Sequence, residues 1–365
     1  MLSGLVFLGC FLYGSADVIA GRLDSAAQLA ADAAFYRLGG AGPAGDAAAS
    51  ERSETEEALR IERKPLSALA LREESYAPLP QLPEESEPSE GGAAESEPLP
   101  QLPEIPQQEH GPDDFSEMTL SGGSEVCGLS IKSDPQAEAV DFEALLDRTP
   151  AIGPYGDGAP CVLIYHTHTC ESYATDEDDA ARSEDQSRGV AAVGEVAAQV
   201  LRSYGIGVIH DTTVYDTTYA GSYARSEAGA REILAQHPSI TVTIDLHRDS
   251  LRTASGERIR PTASVRGRKA AQIMVLAGCD PDGELGFPDW RENLVFALRL
   301  QQNLQSLGED LPRPLYYCNR VYNMNLTKAS LLVEVGTDGN YLDEALRSGE
   351  LLGEALAQVI LSAAQ

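Results

Sequence analysis

CVLIYHTHTCESY, residues 161–173, reads as a buried strand that runs directly into a cluster of metal-capable side chains. Cys161 to Tyr165 is a short, unbroken apolar run, the pattern of a strand covered on both faces. His166, His168, Cys170 and Glu171 follow at once. Further along, IGVIHD (206–211), ITVTIDL (240–246), QIMVLAG (272–278), PLYYC (314–318) and SLLVEVG (330–336) repeat the strand signal. Between them VAAVGEVAAQVLRSYG, SYARSEAGAREILAQH and WRENLVFALRLQQNLQSLG carry helical spacing, and NYLDEALRSGELLGEALAQVILSA supplies a last helix. This alternation predicts an α/β domain, a mostly parallel, twisted sheet with helices on both faces. In such a sheet ligands bind beyond the carboxyl ends of the strands.

Three of the predicted strands end on chemistry. Strand 161–165 runs into the HTHTCE cluster, strand 240–246 into His247, Arg248 and Asp249, and strand 330–333 into Glu334. If these strands are parallel, all three groups meet at one edge of the sheet. Hydrolytic zinc is typically held by three His or carboxylate ligands. His168 and Glu171, spaced HxxE, and His247 form the expected set. His166 shares a face with His168 in an extended segment, so it is an alternative ligand or a group behind the ligands. Asp245 and Asp249 are acceptors that could orient an imidazole. Glu334, flanked by Leu331, Leu332, Val333 and Val335, either points to solvent by alternation or sits in the site. Burial in a site would raise its pKa into the range of a general base, which takes a proton from water and passes it to a leaving amine. Arg248 or a backbone N–H would stabilise the oxyanion.

Other chemistries fit less well. The chain lacks a G-x-S-x-G elbow, a Walker A loop and a G-x-G-x-x-G turn between strand and helix. A cysteine hydrolase built on Cys170 and His247 would leave the remaining His and Glu without a role. The six cysteines show no CxxC spacing, so a zinc ribbon or dithiol motif is not expected. His210 and His237 read as structural.

Residues 1–22 are hydrophobic up to Asp17 and lack a basic start. They read as an export signal or membrane anchor, with a helix packed on the domain as the alternative. Residues 23–122 are rich in acidic residues, Pro and Ser, and carry PLPQLPE twice, at 78–84 and 98–104. That composition predicts a disordered, semi-rigid spacer. Residues 123–365 are left as the folded catalytic domain. A formal charge of −30 argues against nucleic acid as a partner.

YHTHTCESY, GIGVIHDTTVYD, DLHRDS (245–250) and LLVEVG (331–336), in this order, resemble the stage II sporulation protein P family. The resemblance spans about residues 160 to 360. It implies a zinc-dependent N-acetylmuramoyl-L-alanine amidase that cleaves stem peptides from peptidoglycan outside the cytoplasmic membrane during engulfment. The implied partners are stage II sporulation proteins D and M. His168, His247 and Glu334 would take the metal and base roles. Because related amidases can draw their carboxylate ligand from a following helix, Glu195 is an alternative to Glu171. A zinc carboxypeptidase or other amidohydrolase of the same architecture, and a noncatalytic wall-binding scaffold, are the competing expectations.

Overall fold

The strands and helices expected from residue 160 onward all form, and their order in the sheet brings the chemistry together. The computed structural model describes residues 105, 107–108, 110, 115–153, 155–156, 158–175 and 178–363. The hydrophobic segment 1–22 and the spacer as far as residue 104 lie outside the described residues. In chain order the elements are β1 (Ser116–Met118), β2 (Ser124–Val126), β3 (Leu129–Ser133), α1 (Phe142–Leu146), β4 (Pro160–Tyr165), α2 (Val190–Ser203), β5 (Gly207–His210) and α3 (Ser222–Gln236). Then come β6 (Val242–Asp249), β7 (Ile259–Val265), β8 (Arg268–Ala271), β9 (Ile273–Gly278), α4 (Trp290–Leu307), β10 (Leu315–Cys318), β11 (Ala329–Thr337) and α5 (Leu342–Ala363). Among the described residues no helix is long and apolar enough to cross a membrane.

Eight strands form one sheet in the order β2-β3-β10-β9-β11-β6-β4-β5. Its pairs are parallel except β2 with β3 and β11 with β9. The sheet is therefore mostly parallel, as the alternation of elements requires. Val162, Ile164, Val242, Ile244 and Leu246 point into the main core, which buries residues of α2, α4 and α5. Leu163 and Tyr165 point the other way, toward Ala230, Ile233 and Leu234 of α3. Strand side chains alternate between faces, so a sheet flanked by helices on both sides needs apolar residues at successive positions. That is why β4 reads as an unbroken apolar run, whereas β6 keeps Val242, Ile244 and Leu246 for the main core and turns Thr243 and Asp245 to the other face.

Two features differ from the sequence reading. Chain ahead of residue 123 takes part in the fold: β1 pairs with β7, and Phe115 packs edge-on to Tyr341. The second is the β7–β8 hairpin, which joins β1 in a separate three-stranded sheet. Pro261 and the surrounding cations weaken its strand pattern. Arg266 and Gly267, both at left-handed φ, close it with the two-residue turn that suits a hairpin.

Candidate active site

β4, β6 and β11 are neighbours and run parallel, so their carboxyl ends do meet. Register then places individual side chains. Glu334 pairs with His247 across β11 and β6, Leu332 with Asp245, and Ser330 with Thr243. Alternation puts this set on the α3 side of the sheet, with Glu334 and His247 side by side. His168 arrives from the turn after β4, where Glu171 N–H donates to the His168 carbonyl, 3.0 Å. A single pocket is lined by His168, Glu171, His247, Arg248, Asp249, Ser250, Leu332 and Glu334, and walled by Tyr219, Tyr223 and Tyr322.

Burial governs the electrostatics. His168, stacked on Tyr219 with ring centroids 4.5 Å apart, is pushed down to about 4 by burial, which Glu171 only partly opposes. His247 has two carboxylate neighbours: Nδ1 lies 3.4 Å from Glu171 Oε2, and Nε2 lies 2.9 Å from Asp245 Oδ1, off the axis of a hydrogen bond. Burial disfavours its imidazolium, but Asp245 and Glu171 outweigh burial and raise its pKa well above the ordinary value. Glu171 is also fully buried, yet Arg248, His247 and His168 hold it at about 2. Glu334 goes the opposite way. Burial first, then the negative charges of Asp249 and Glu171, raise it well above the usual carboxylate range, against the pull of His247 and Arg313.

The donor set fits a zinc ion in kind. His168 Nδ1 and Glu334 Oε2 are buried polar atoms without a hydrogen-bond partner, both belonging to residues that line this pocket, and His247 turns Nδ1 toward Glu171 and Nε2 toward Asp245. Buried polar atoms of this sort are normally satisfied, and an absent ion is one standing explanation when they are not. Asp245 behind His247 has the place that an orienting carboxylate takes behind a metal-bound imidazole. Among the described residues no three His, Cys, Asp or Glu side chains already close around one point.

The other named residues take different parts, Arg248 and Asp249 in the pocket lining and His166 and Glu195 outside it. Arg248 does not present a free guanidinium: its Nε and Nη atoms donate to the carbonyls of Ser172, Asp249 and Ala181, and its backbone N–H donates to Glu171 Oε2. It braces the Glu171 segment. Asp249 accepts from Arg313 Nη1, 2.8 Å, and neighbours Glu334 rather than an imidazole. His166 does not share the side of His168, because the chain turns immediately after Tyr165 and the strand alternation ends there. Instead, His166 Nδ1 donates to the Leu246 carbonyl and its Nε2 meets His210 Nε2, 2.9 Å in each case. Glu195 joins that pair, 3.0 Å from His210 Nδ1, and is not among the residues lining the pocket. Cys170 is a buried thiol raised to about 11, mainly by burial.

Gly194 on α2 shows how tightly this second cluster is packed. A Cβ there would lie 2.7 Å from His210 Nε2 and 2.8 Å from His166 Cε1. Gly194→Ala is therefore expected to destabilise the protein by about 1–3 kcal/mol, although alanine is the better helix former. Urea unfolding checks this, and a stabilised variant would show that the two histidines yield freely.

Sequence reasoning missed Asp216, Arg313 and the tyrosine wall. Asp216, buried, accepts from Cys170 N–H and from Arg182, and lies 4.0 Å from His168 Nδ1. Tyr223 stands on α3, Asp216, Tyr219 and Tyr322 on loops and Arg313 just ahead of β10; Asp216 closes the segment GIGVIHDTTVYD, and no acid/base pattern marks the others.

The model of the family described as Stage II sporulation protein P matches residues 71–357. A Bacillus subtilis (strain 168) protein named Stage II sporulation protein P is 29% identical over 278 residues, covering 67% of this chain and 66% of its own length. The chain thus spans about two thirds of the length of that relative. Among solved structures, N-acetylmuramoyl-L-alanine amidase AmiC2 of Nostoc punctiforme superposes with a TM-score of 0.35 at 15% identity, covering 57% of this chain and 97% of its own. The catalytic domain of the amidase CwlV from Bacillus (Paenibacillus) polymyxa var. colistinus gives 0.34 at 13% identity, covering 56% and 97%. At TM-scores this low neither likeness bears on the chemistry of this chain.

Proposed function

Because the chain belongs to the stage II sporulation protein P family, we propose that it is a peptidoglycan amidase that hydrolyses the amide between the lactyl group of N-acetylmuramic acid and the stem peptide. The observation that carries this reading is the pairing of Glu334 with His247 across adjacent parallel strands, in one pocket with His168 and Glu171. It is an acid/base group with a raised pKa beside a set of zinc-type donors. His168, His247 and Glu171 would hold zinc, which supplies Lewis acidity when bound. Arg248 braces Glu171, and Asp245 orients the His247 ring. Glu334, held neutral in the metal-free protein, would be ionised by a bound cation beside it; it then takes a proton from the attacking water and delivers it to the leaving amine nitrogen. Tyr219, Tyr223 and Tyr322 narrow the approach and exclude bulk water.

The place of action follows from the same proposal. Residues 1–22 would tether the domain at the extracytoplasmic face of the membrane, and the acidic spacer would let it reach the wall. Stage II sporulation proteins D and M are the proposed partners in engulfment.

A digest of purified peptidoglycan tests the reading. Stem peptides with free N-terminal alanine and peptide-free glycan chains are the expected products. Single amino acids released from the peptide end would point to a carboxypeptidase. No product from a zinc-loaded protein that still binds the wall would point to a scaffold.

A further inference from the structure

The loop between β10 and β11 places two consecutive non-glycine residues in the left-handed region, Tyr322 at φ +36° and Asn323 at φ +55°. Such residues persist only where their surroundings hold them, and they concentrate at functional sites. Both are buried, and each faces the site in its own way. Tyr322 lines the pocket and tilts against Tyr223, ring centroids 5.5 Å apart. Asn323 turns inward, and its Nδ2 donates to the Tyr223 carbonyl and to Ser226 Oγ, both 3.1 Å. The loop can come this close because Gly278 at the end of β9 has no side chain: a Cβ there would lie 2.1 Å from the Arg320 carbonyl oxygen.

From Ser226 the contacts continue toward the site. Ser226 Oγ meets Thr167 Oγ1 at 2.6 Å, Thr167 Oγ1 reaches Asp245 Oδ2 at 2.6 Å, and Thr167 N–H reaches Asp245 Oδ1 at 2.8 Å. The directions follow from the donor inventory. An ionised carboxylate only accepts, so the single Thr167 hydroxyl proton goes to Asp245. Thr167 must then accept from Ser226, and Ser226 in turn accepts from Asn323. Ser226 Oγ also lies within donating distance of the Tyr223 carbonyl, 3.1 Å, so its one proton has two acceptors, and the Asn323 amide donates to the second of them as well. Removing the amide takes a donor from both Ser226 Oγ and that carbonyl, which lets the serine proton pass from Thr167 to Tyr223 and loosens Asp245 beside His247.

We propose that Asn323 is a positioning residue, fixing the Asp245–His247 pair through Ser226 and Thr167, and that the left-handed turn exists to deliver it. The effect on rate rests on the amidase reading; the effect on His247 does not.

The test uses the full chain, metal-free and zinc-loaded. Asn323→Gly keeps the backbone conformation and removes the amide, Asn323→Asp keeps the shape and removes the donor, and Ser226→Ala breaks the next link. The imidazole 15N signals of His247 should shift in all three, with melting temperatures close to wild type. kcat on peptidoglycan should fall about 10-fold with KM unchanged, the size of effect that partners behind a ligand have. Asn323→Gly combined with Ser226→Ala should lose no more than the larger single loss, because both cut one path. Unchanged His247 signals in Asn323→Gly, or losses that multiply in the double variant, overturn the proposal. If Asn323→Gly does not fold, Ser226→Ala decides on the same readouts. A wild-type protein that hydrolyses nothing would count against the amidase reading alone, and the His247 signals would still decide this one.

Discussion

Glu334→Gln should lower the rate of stem-peptide release by at least about 100-fold while raising the stability of the metal-free protein. The two effects share one origin. Glutamine has the shape of the acid and keeps a donor and an acceptor, but it cannot carry a proton from water to a leaving amine. Removal of a positioned general base or acid costs about 10²–10⁴ in rate. The stability gain follows from linkage. In the folded protein burial, helped by Asp249 and Glu171, raises the Glu334 pKa well above the ordinary 4.5. Folded chains therefore keep a proton that unfolded chains release, and stability contributed by that proton drains away as pH climbs from 4.5 toward the folded value. A neutral amide has no such dependence. The advantage of Glu334→Gln over wild type in urea unfolding should thus be small near about pH 5 and larger near about pH 7.5. An advantage that does not change with pH would show that Glu334 is not held protonated. A variant that stays active would remove it from the chemistry, and that result would also leave the pairing of Glu334 with His247 without a purpose.

Much of this arrangement is legible in the chain because parallel strands report their own ends. CVLIY and the run 331–333 are apolar at successive positions since the sheet is covered on both faces, ITVTIDL is apolar at every second position, and the polar residues after each run mark where the cover stops. The convergence of His168, His247 and Glu334 needs only that β4, β6 and β11 be parallel and adjacent. Reading failed where the geometry ceased to be periodic. His166 and His168 share a face only if the strand continues, and it does not; a two-residue alternation cannot report a turn. The guanidinium of Arg248 is consumed by carbonyls from segments 76 and 67 residues away, which no local pattern encodes. Asn323 is invisible for a related reason. Its signal is a left-handed backbone in a loop whose composition, VYNMNL, looks ordinary. Asparagine tolerates that conformation better than most residues, so the sequence carries a permission and not a prediction.

His247→Ala should abolish zinc retention and weaken the metal-free fold, with the second effect depending on pH in a defined direction. His247 is the cation between two buried carboxylates, Asp245 and Glu171. Deleting it leaves both without that partner, and breaking a buried ion pair from one side costs about 3–5 kcal/mol. The histidine pKa is raised in the folded state above its ordinary 6.5. Its contribution is therefore fully present below the unfolded value and is lost as pH rises through the folded one. The stability gap between wild type and His247→Ala should be widest in mild acid and narrow as pH increases. Zinc runs the other way. An imidazole must be deprotonated to ligate, so the proton that stabilises the metal-free site competes with the metal, and zinc affinity should tighten with pH across the range where the gap narrows. Affinity in His247→Ala should fall by more than about 100-fold, beyond the loss expected for a residue that only orients a ligand. Chelator competition and urea unfolding over one pH series measure both curves. If the stability gap stays constant while zinc binding is lost, His247 is a ligand but not the counter-ion. If zinc binding survives the substitution, the metal is held elsewhere, and the paired carboxylates around His247 belong to the fold alone.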